Sequence, residues 1–150
     1  MTRLKPKRSQ PNESARVTAI LRVLQLAGFW AWRVNSSLTV LPAQASHGRR
    51  VIKGAPAGSP DIMLVIPVVA SALSLGEGGM RLESATYGAL GGLEVKTDKG
   101  KQSATQRAWQ RKAEAHGVRY EVVREPGEAL RVAKAWRAGK PWISEGRDGT

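Results

Sequence analysis

Two short stretches of the chain combine residue types that can do chemistry. In "GGLEVKTDKG", Gly91 to Gly100, an acid and a base stand two apart, Glu94 and Lys96, around Val95. In a strand these two share one face while Val95 takes the other. An unpaired charge buried there costs far more than a Val or Ile would. The two therefore either pair with each other or face a cleft and act on something. The second stretch is "GSPDIMLVI", where Asp61 follows Pro60 and opens an apolar run. Taken alone, Asp61 reads first as a turn aspartate. If strands at 61–66 and 92–97 neighbour each other in a hairpin, Asp61 and Glu94 converge at one end of a sheet. Two carboxylates at such a point suit a hard, oxygen-seeking cation such as Mg²⁺, and Lys96 beside them can orient or polarise a water. An acid-x-Lys triplet is a weak pattern, but Glu94-Val95-Lys96 occurs once in the chain and Pro60-Asp61 is its one Pro-Asp pair.

Several elements must position these residues. The spacing of Val17, Ile20, Leu21 and Leu24 predicts a helix from about Asn12 to Ala27, with Asn12 as N-cap, Glu13 in the first turn and Gly28 just past the end. "FWAWRVN", Phe29 to Asn35, alternates like a strand. A polar loop follows, then a short strand at "RRVIKG". "GAPAGSP" is a breaker stretch, and "DIMLVI" reads as a buried strand. Residues 67–90 are irregular and glycine-bearing, and read as a long hairpin excursion or a flexible loop. "GLEVKT" returns as a strand. Ser103 and Gln106 form a capping box that opens a helix ending at Gly117. "VRYEVVR", Val118 to Arg124, is a further strand, and "PGEALRVAKAWRAG" a last helix from about Pro126. The order predicts an α/β fold with a mixed central sheet of about four strands flanked by helices. The domain spans 12–137, between a basic arm at 1–11 and a tail at 138–150. Trp30, Trp32, Trp109 and Trp136 lie in regular elements. Core or dimer packing suits them better than a base-stacking platform.

Composition narrows the chemistry. The chain has 150 residues, a size that suits one domain. It has no cysteine and two histidines, which excludes disulfides, thiolate nucleophiles and cysteine-based zinc sites. Net charge is +12, from 24 Lys+Arg against 12 Asp+Glu. An excess of that size points to a polyanionic partner, nucleic acid first. Residues 1–58 carry a single acid, Glu13. Arg33, Arg49, Arg50, Lys53, Lys99 and Lys101 flank the candidate site in sequence and suit phosphate contacts. No apolar run follows the basic start, so no signal peptide is expected. The longest apolar run contains Pro67 and falls short of the roughly 20 residues that span a bilayer. A soluble, intracellular protein is expected, without a membrane partner.

In combination, Pro60-Asp61, Glu94 to Thr97, Gly100, Ser103 to Gln106 and Val122 to Arg124 resemble the VRR-NUC domain of the PD-(D/E)xK nuclease superfamily. "LAGFWAWRVNS" resembles that family's first helix and strand, and the likeness covers most of residues 12–137. Two departures stand out. The last strand reads Val122-Val123-Arg124-Glu125 where the family's name refers to Val-Arg-Arg, and the long interval from Asp61 to Glu94 makes residues 67–90 look like an insertion. The resemblance implies a restriction-endonuclease-like core and a Mg²⁺-dependent endonuclease, with Mn²⁺ able to substitute, acting on branched DNA such as a Holliday junction. It implies that Asp61 and Glu94 hold the metal, with the Val95 carbonyl and Glu13 as further ligands. Lys96 would position or activate the water, and Gln106 would orient water or phosphate. It implies a homodimer, no small-molecule substrate, and the cytoplasm of a bacterial or phage-infected cell. A flap or exonuclease on the same fold, and a non-catalytic DNA-binding module, are the alternatives. On this reading Glu94 and Lys96 have separate tasks and do not close on each other as a structural ion pair.

Overall fold

A computed structural model describes residues 12–34, 39–41, 50–52, 54–76 and 79–139. Helix α1 (Glu13–Leu26) starts where the Asn12 side chain accepts the Ala15 N–H at 2.9 Å. It ends at Gly28, whose φ of +80° is a left-handed cap that glycine adopts freely. Strand β1 (Trp30–Arg33) follows. Two short strands, β2 (Thr39–Leu41) and β3 (Arg50–Ile52), pair antiparallel as a small separate sheet. The sequence pointed to β3 but not to β2, which is three residues long within a polar stretch.

Strands β4 (Ile62–Gly76) and β5 (Gly79–Val95) then form one long antiparallel hairpin. Residues 67–90 are its outer part, so the flexible-loop alternative gives way to the hairpin. Helix α2 (Ala104–Ala115) carries the chain across to β6 (Arg119–Val123), which runs parallel to β5. Helix α3 (Pro126–Arg137) closes the order, with its proline at the start where a missing N–H costs nothing. The main sheet has the order β1-β4-β5-β6 and is mixed. The chain is therefore α/β, with a four-stranded mixed sheet flanked by helices. The arm at 1–11 and the tail from 140 on lie outside the described residues.

Strand alternation assigns the two faces. Ile62, Leu64, Ile66, Leu93, Val95 and Val123 turn to one side and are fully buried with Val17, Ile20 and Leu24 of α1 and Ala129, Val132 and Trp136 of α3. Asp61, Met63, Gly92 and Glu94 belong to the other side by the same period. There α2 covers β6, with the Trp109 ring 5.7 Å from that of Tyr120. Of the tryptophans weighed from sequence, Trp136 is core and Trp109 packs on Tyr120. Trp30 and Trp32 are 74% and 39% exposed, so the core reading fails for them. Among the described residues no helix is long and apolar enough to cross a membrane.

Candidate active site

Asp61 and Glu94 are brought together by the hairpin register. Ile62 pairs with Leu93, so Asp61 stands one row beyond, opposite Glu94. Two backbone contacts fix the aspartate: its carbonyl accepts the Val34 N–H at 2.8 Å, and Oδ2 accepts the Val95 N–H at 2.8 Å. Pro60 is fully buried behind it. A Cβ on Gly92 would lie 2.8 Å from Pro60 Cγ, so this glycine leaves the room in which the Pro60-Asp61 step seats. Its neighbour Gly91 does the same for the Trp136 ring on the opposite face, at 2.6 Å. Gly92→Ala is expected to cost about 1–3 kcal/mol through overpacking and to displace Asp61. Urea denaturation measures the first effect, and the chemical shift of the Asp61-bound Val95 amide reports the second.

Glu94 is 1% exposed, and three side chains bond its carboxyl. Lys96 Nζ lies 2.7 Å from Oε1, Tyr120 OH donates to Oε2 at 3.3 Å, and Gln106 Nε2 donates to Oε1. The sequence expectation for the acid and the lysine is thus corrected: they do form an ion pair. The reason is proximity under burial. Two opposite charges side by side on one strand face, both nearly out of water, lose more by standing apart than either gains elsewhere. Strand spacing places the two on one face and carries no signal of how deeply that face is buried.

Burial pushes the Glu94 carboxyl up to about 7 from 4.5. The hydrogen bonds from Lys96 and Tyr120 pull against that, and the nearby Asp61 charge adds to it. Burial also works against the Lys96 ammonium. The hydrogen bond to Glu94 and the charges of Glu94, Glu13 and Asp61 outweigh it and hold that group above its ordinary value. Because the folded Glu94 binds its proton more tightly than the unfolded one, its contribution to stability is complete below about 4.5 and is lost as pH rises through about 7. The loss amounts to roughly 3 kcal/mol at about 1.4 kcal/mol per unit. Denaturation midpoints measured from pH 4.5 to 7.5 should fall more steeply in the wild type than in Glu94→Gln, which has no proton to lose.

Gln106 completes the capping box and also reaches Glu94. Its Oε1 accepts the Ser103 N–H at 2.8 Å and its own N–H donates to Ser103 Oγ at 3.1 Å, completing the capping box, while Nε2 reaches Glu94. The box therefore does more than start α2: it aims the amide at the acid. Val95 is buried, and its N–H donates to the Asp61 carboxylate. Glu13, exposed on the first turn of α1, is near enough for its charge to act on Lys96. Lys99 and Lys101 are exposed on the loop that leaves Lys96. Arg33 reaches Ser14 Oγ at 3.5 Å on the α1 side of the sheet, the face opposite to Asp61 and Glu94. Arg49, Lys53 and the Arg50 side chain lie outside the described residues.

Three contributors escaped the sequence reading. Tyr120 is buried beside Glu94, and Gln102 Nε2 bonds its hydroxyl at 3.4 Å and Gln110 at 3.0 Å. Arg16 clamps the turn after Lys96, donating to Asp98 at 2.8 Å and to the Arg124 carbonyl at 2.9 Å. Only the period of β6, which turns Tyr120 to the same side as Glu94, carried a signal for the first. The Arg16 clamp joins residues 82 and 108 apart, a separation no local pattern encodes.

The donor chemistry fits a hard divalent cation. Asp61 offers Oδ1, which accepts no hydrogen bond from the described residues, next to a second carboxylate. Among the described residues no three of His, Cys, Asp and Glu gather as a ligand cluster, so the candidate centre rests on two acids and main-chain oxygen. No family model and no curated protein matches the chain.

Proposed function

We propose that the chain is a metal-dependent deoxyribonuclease of the VRR-NUC type, built on a restriction-endonuclease-like core and hydrolysing phosphodiester bonds of branched DNA as a homodimer. The observation that carries this reading is the meeting of Asp61, Glu94 and Lys96 at one end of one sheet face, with Gln106 aimed at the same acid. Asp61 and Glu94 would hold Mg²⁺ or Mn²⁺, with the Val95 carbonyl as a further candidate and Glu13 reaching the ion through water. A bound divalent ion supplies charge neutralisation at phosphate and lowers the pKa of water. Lys96 contributes a cation that its acidic neighbours keep protonated, placed where negative charge grows. Gln106 and Tyr120 hold the Glu94 carboxylate in one orientation. Lys99 and Lys101 stand exposed beside the site and can meet phosphate, and the +12 net charge favours DNA generally.

The test uses labelled four-way junction, flap and plain duplex DNA, with Mg²⁺ or with EDTA. Cutting that needs the metal and is lost in Lys96→Ala supports the nuclease. A preference among the three substrates separates a junction enzyme from a flap or end-directed one. The buried Glu94–Lys96 pair favours a second reading, a DNA-binding module in which that pair is structural. Salt-dependent DNA binding with no cutting of any substrate would establish it.

A further inference from the structure

The β4–β5 hairpin outruns its sheet. β1 pairs with β4 only from Ile62 to Val65, and β6 pairs with β5 only from Gly91 to Val95. The rows from Pro67–Gly88 to Gly76–Gly79 form a two-stranded ribbon whose outer edges pair with no described strand. One face of that ribbon is apolar: Val69, Leu73, Leu75, Met80 and Leu82 are 65–87% exposed. The register puts Leu73 beside Leu82 and Leu75 beside Met80, with Ser71 and Ser84 joined at 3.1 Å between them and Val69. Arg81 and Glu83 fall on the other face.

We infer that this face is where two copies of the chain meet. A two-stranded ribbon alone in water is marginally stable at best, and each large apolar side chain gains about 1.5–3 kcal/mol on burial. The ribbon therefore calls for a cover. The cover is not a polyanion, because this face of the arm holds no basic side chain while the chain as a whole carries +12. A second copy fits by its pattern. The Ser71–Ser84 row is the middle one of the five that face this way. A two-fold axis through it sets Leu73–Leu82 of one copy over Val69–Thr86 of the other. It also sets the bulky Leu75–Met80 row over the low Pro67–Gly88 row, beside the Val65 side chain that packs against Gly88. Every contact is made twice, as a two-fold interface requires.

Ten rows measure roughly 33 Å by 10 Å in plan, so the two arm faces alone account for roughly 660 Å² of the roughly 1,200–2,000 Å² that stable interfaces bury. The tip of each arm ends beside the exposed Trp30 of the other, which pairs with Val65 two rows before Pro67 and extends the contact beyond the arm. The inference takes the two-copy assembly of the preceding reading and gives it a surface.

The chain has no cysteine, so one introduced thiol reports alone. Ser71→Cys, on the axis, is expected to be joined by a short bis-maleimide into a species of twice the 16.2 kDa chain mass, while Glu114→Cys on α2 is not; facing sheets stand about 10 Å apart, too far for a direct disulfide. Leu73→Lys, at a site exposed in the single copy, is expected to shift the sedimenting mass from dimer to monomer. A monomeric wild type at about 50 μM would overturn the inference, as would equal cross-linking of both thiols or a dimer that survives Leu73→Lys. A Ser71 thiol that cross-links only after residues 140–150 are removed would do the same, since the tail would then be the cover. These readouts measure assembly and not cutting, so the interface and the nuclease reading can fail separately.

Discussion

Replacing Asp61 with Asn is expected to remove metal-dependent cutting by about a hundred- to a thousandfold, the scale of losing one electrostatic stabiliser of a transition state, with the fold intact. The chain gives the mutation unusually clean terms. The aspartate Oδ2 serves as an acceptor for the Val95 N–H, and an asparagine carbonyl can serve the same N–H, so the hairpin end keeps its tie. What changes is charge: one of the two acids proposed to hold the cation is gone, and an asparagine carbonyl is a weaker ligand than a carboxylate for a hard cation. DNA affinity should hold or tighten, because a negative charge near phosphate has been removed. Fluorescence anisotropy in EDTA reads binding, a gel assay reads cutting, and thermal denaturation reads the fold. If cutting persists at the wild-type rate, Asp61 is no ligand. If it falls together with the melting temperature, the residue is structural and the assignment loses its main support.

The parts of the fold that were legible from sequence are those whose local chemistry names its own geometry. Asn12 and Ser103 announce helix starts because their side chains satisfy N–H groups that the first turn leaves open. Gly28 and Gly117 mark ends because only glycine takes φ of +80° and +77° freely. Glu94 and Lys96 were placed on one face by the strand period alone. The outer hairpin was legible only as one of two alternatives, and the reason is physical. A strand against a core prints an apolar-polar alternation on its sequence, whereas an arm standing off the body has no buried side to print one. In "PVVASALSLG" both faces are small or apolar, so the period vanishes. The Glu94–Lys96 contact was misjudged for a different reason. Strand period places two side chains on a face but says nothing of how dry that face is. Dryness comes from Tyr120 and α2, which arrive from elsewhere in the chain.

That dryness makes the second large effect a matter of which partner is removed. Glu94→Ala leaves the Lys96 ammonium buried without its nearest counter-charge, and Tyr120 and Gln106 without their acceptor. Breaking a buried pair in this way costs about 3–5 kcal/mol, which for a chain of this length lowers the melting temperature by roughly 10 °C. Lys96→Met removes the other partner and should cost less. Burial already holds the Glu94 carboxyl at about 7, so at neutral pH the stranded acid takes up a proton cheaply and remains an acceptor for Tyr120 and Gln106. The double variant Glu94→Gln/Lys96→Met removes both charges and keeps the acceptor. It is expected within about 1–2 kcal/mol of the wild type, since a buried ion pair replaced by neutral groups of like shape is often close to neutral. Urea denaturation of the four proteins at pH 7 gives the comparison, and the same four are assayed on DNA. Recovered stability with no recovered cutting separates the pair's chemical task from its packing. Equal losses in the two single variants would instead mean that Glu94 stays charged in the fold, and that the metal-ligand role must be argued without a proton to displace.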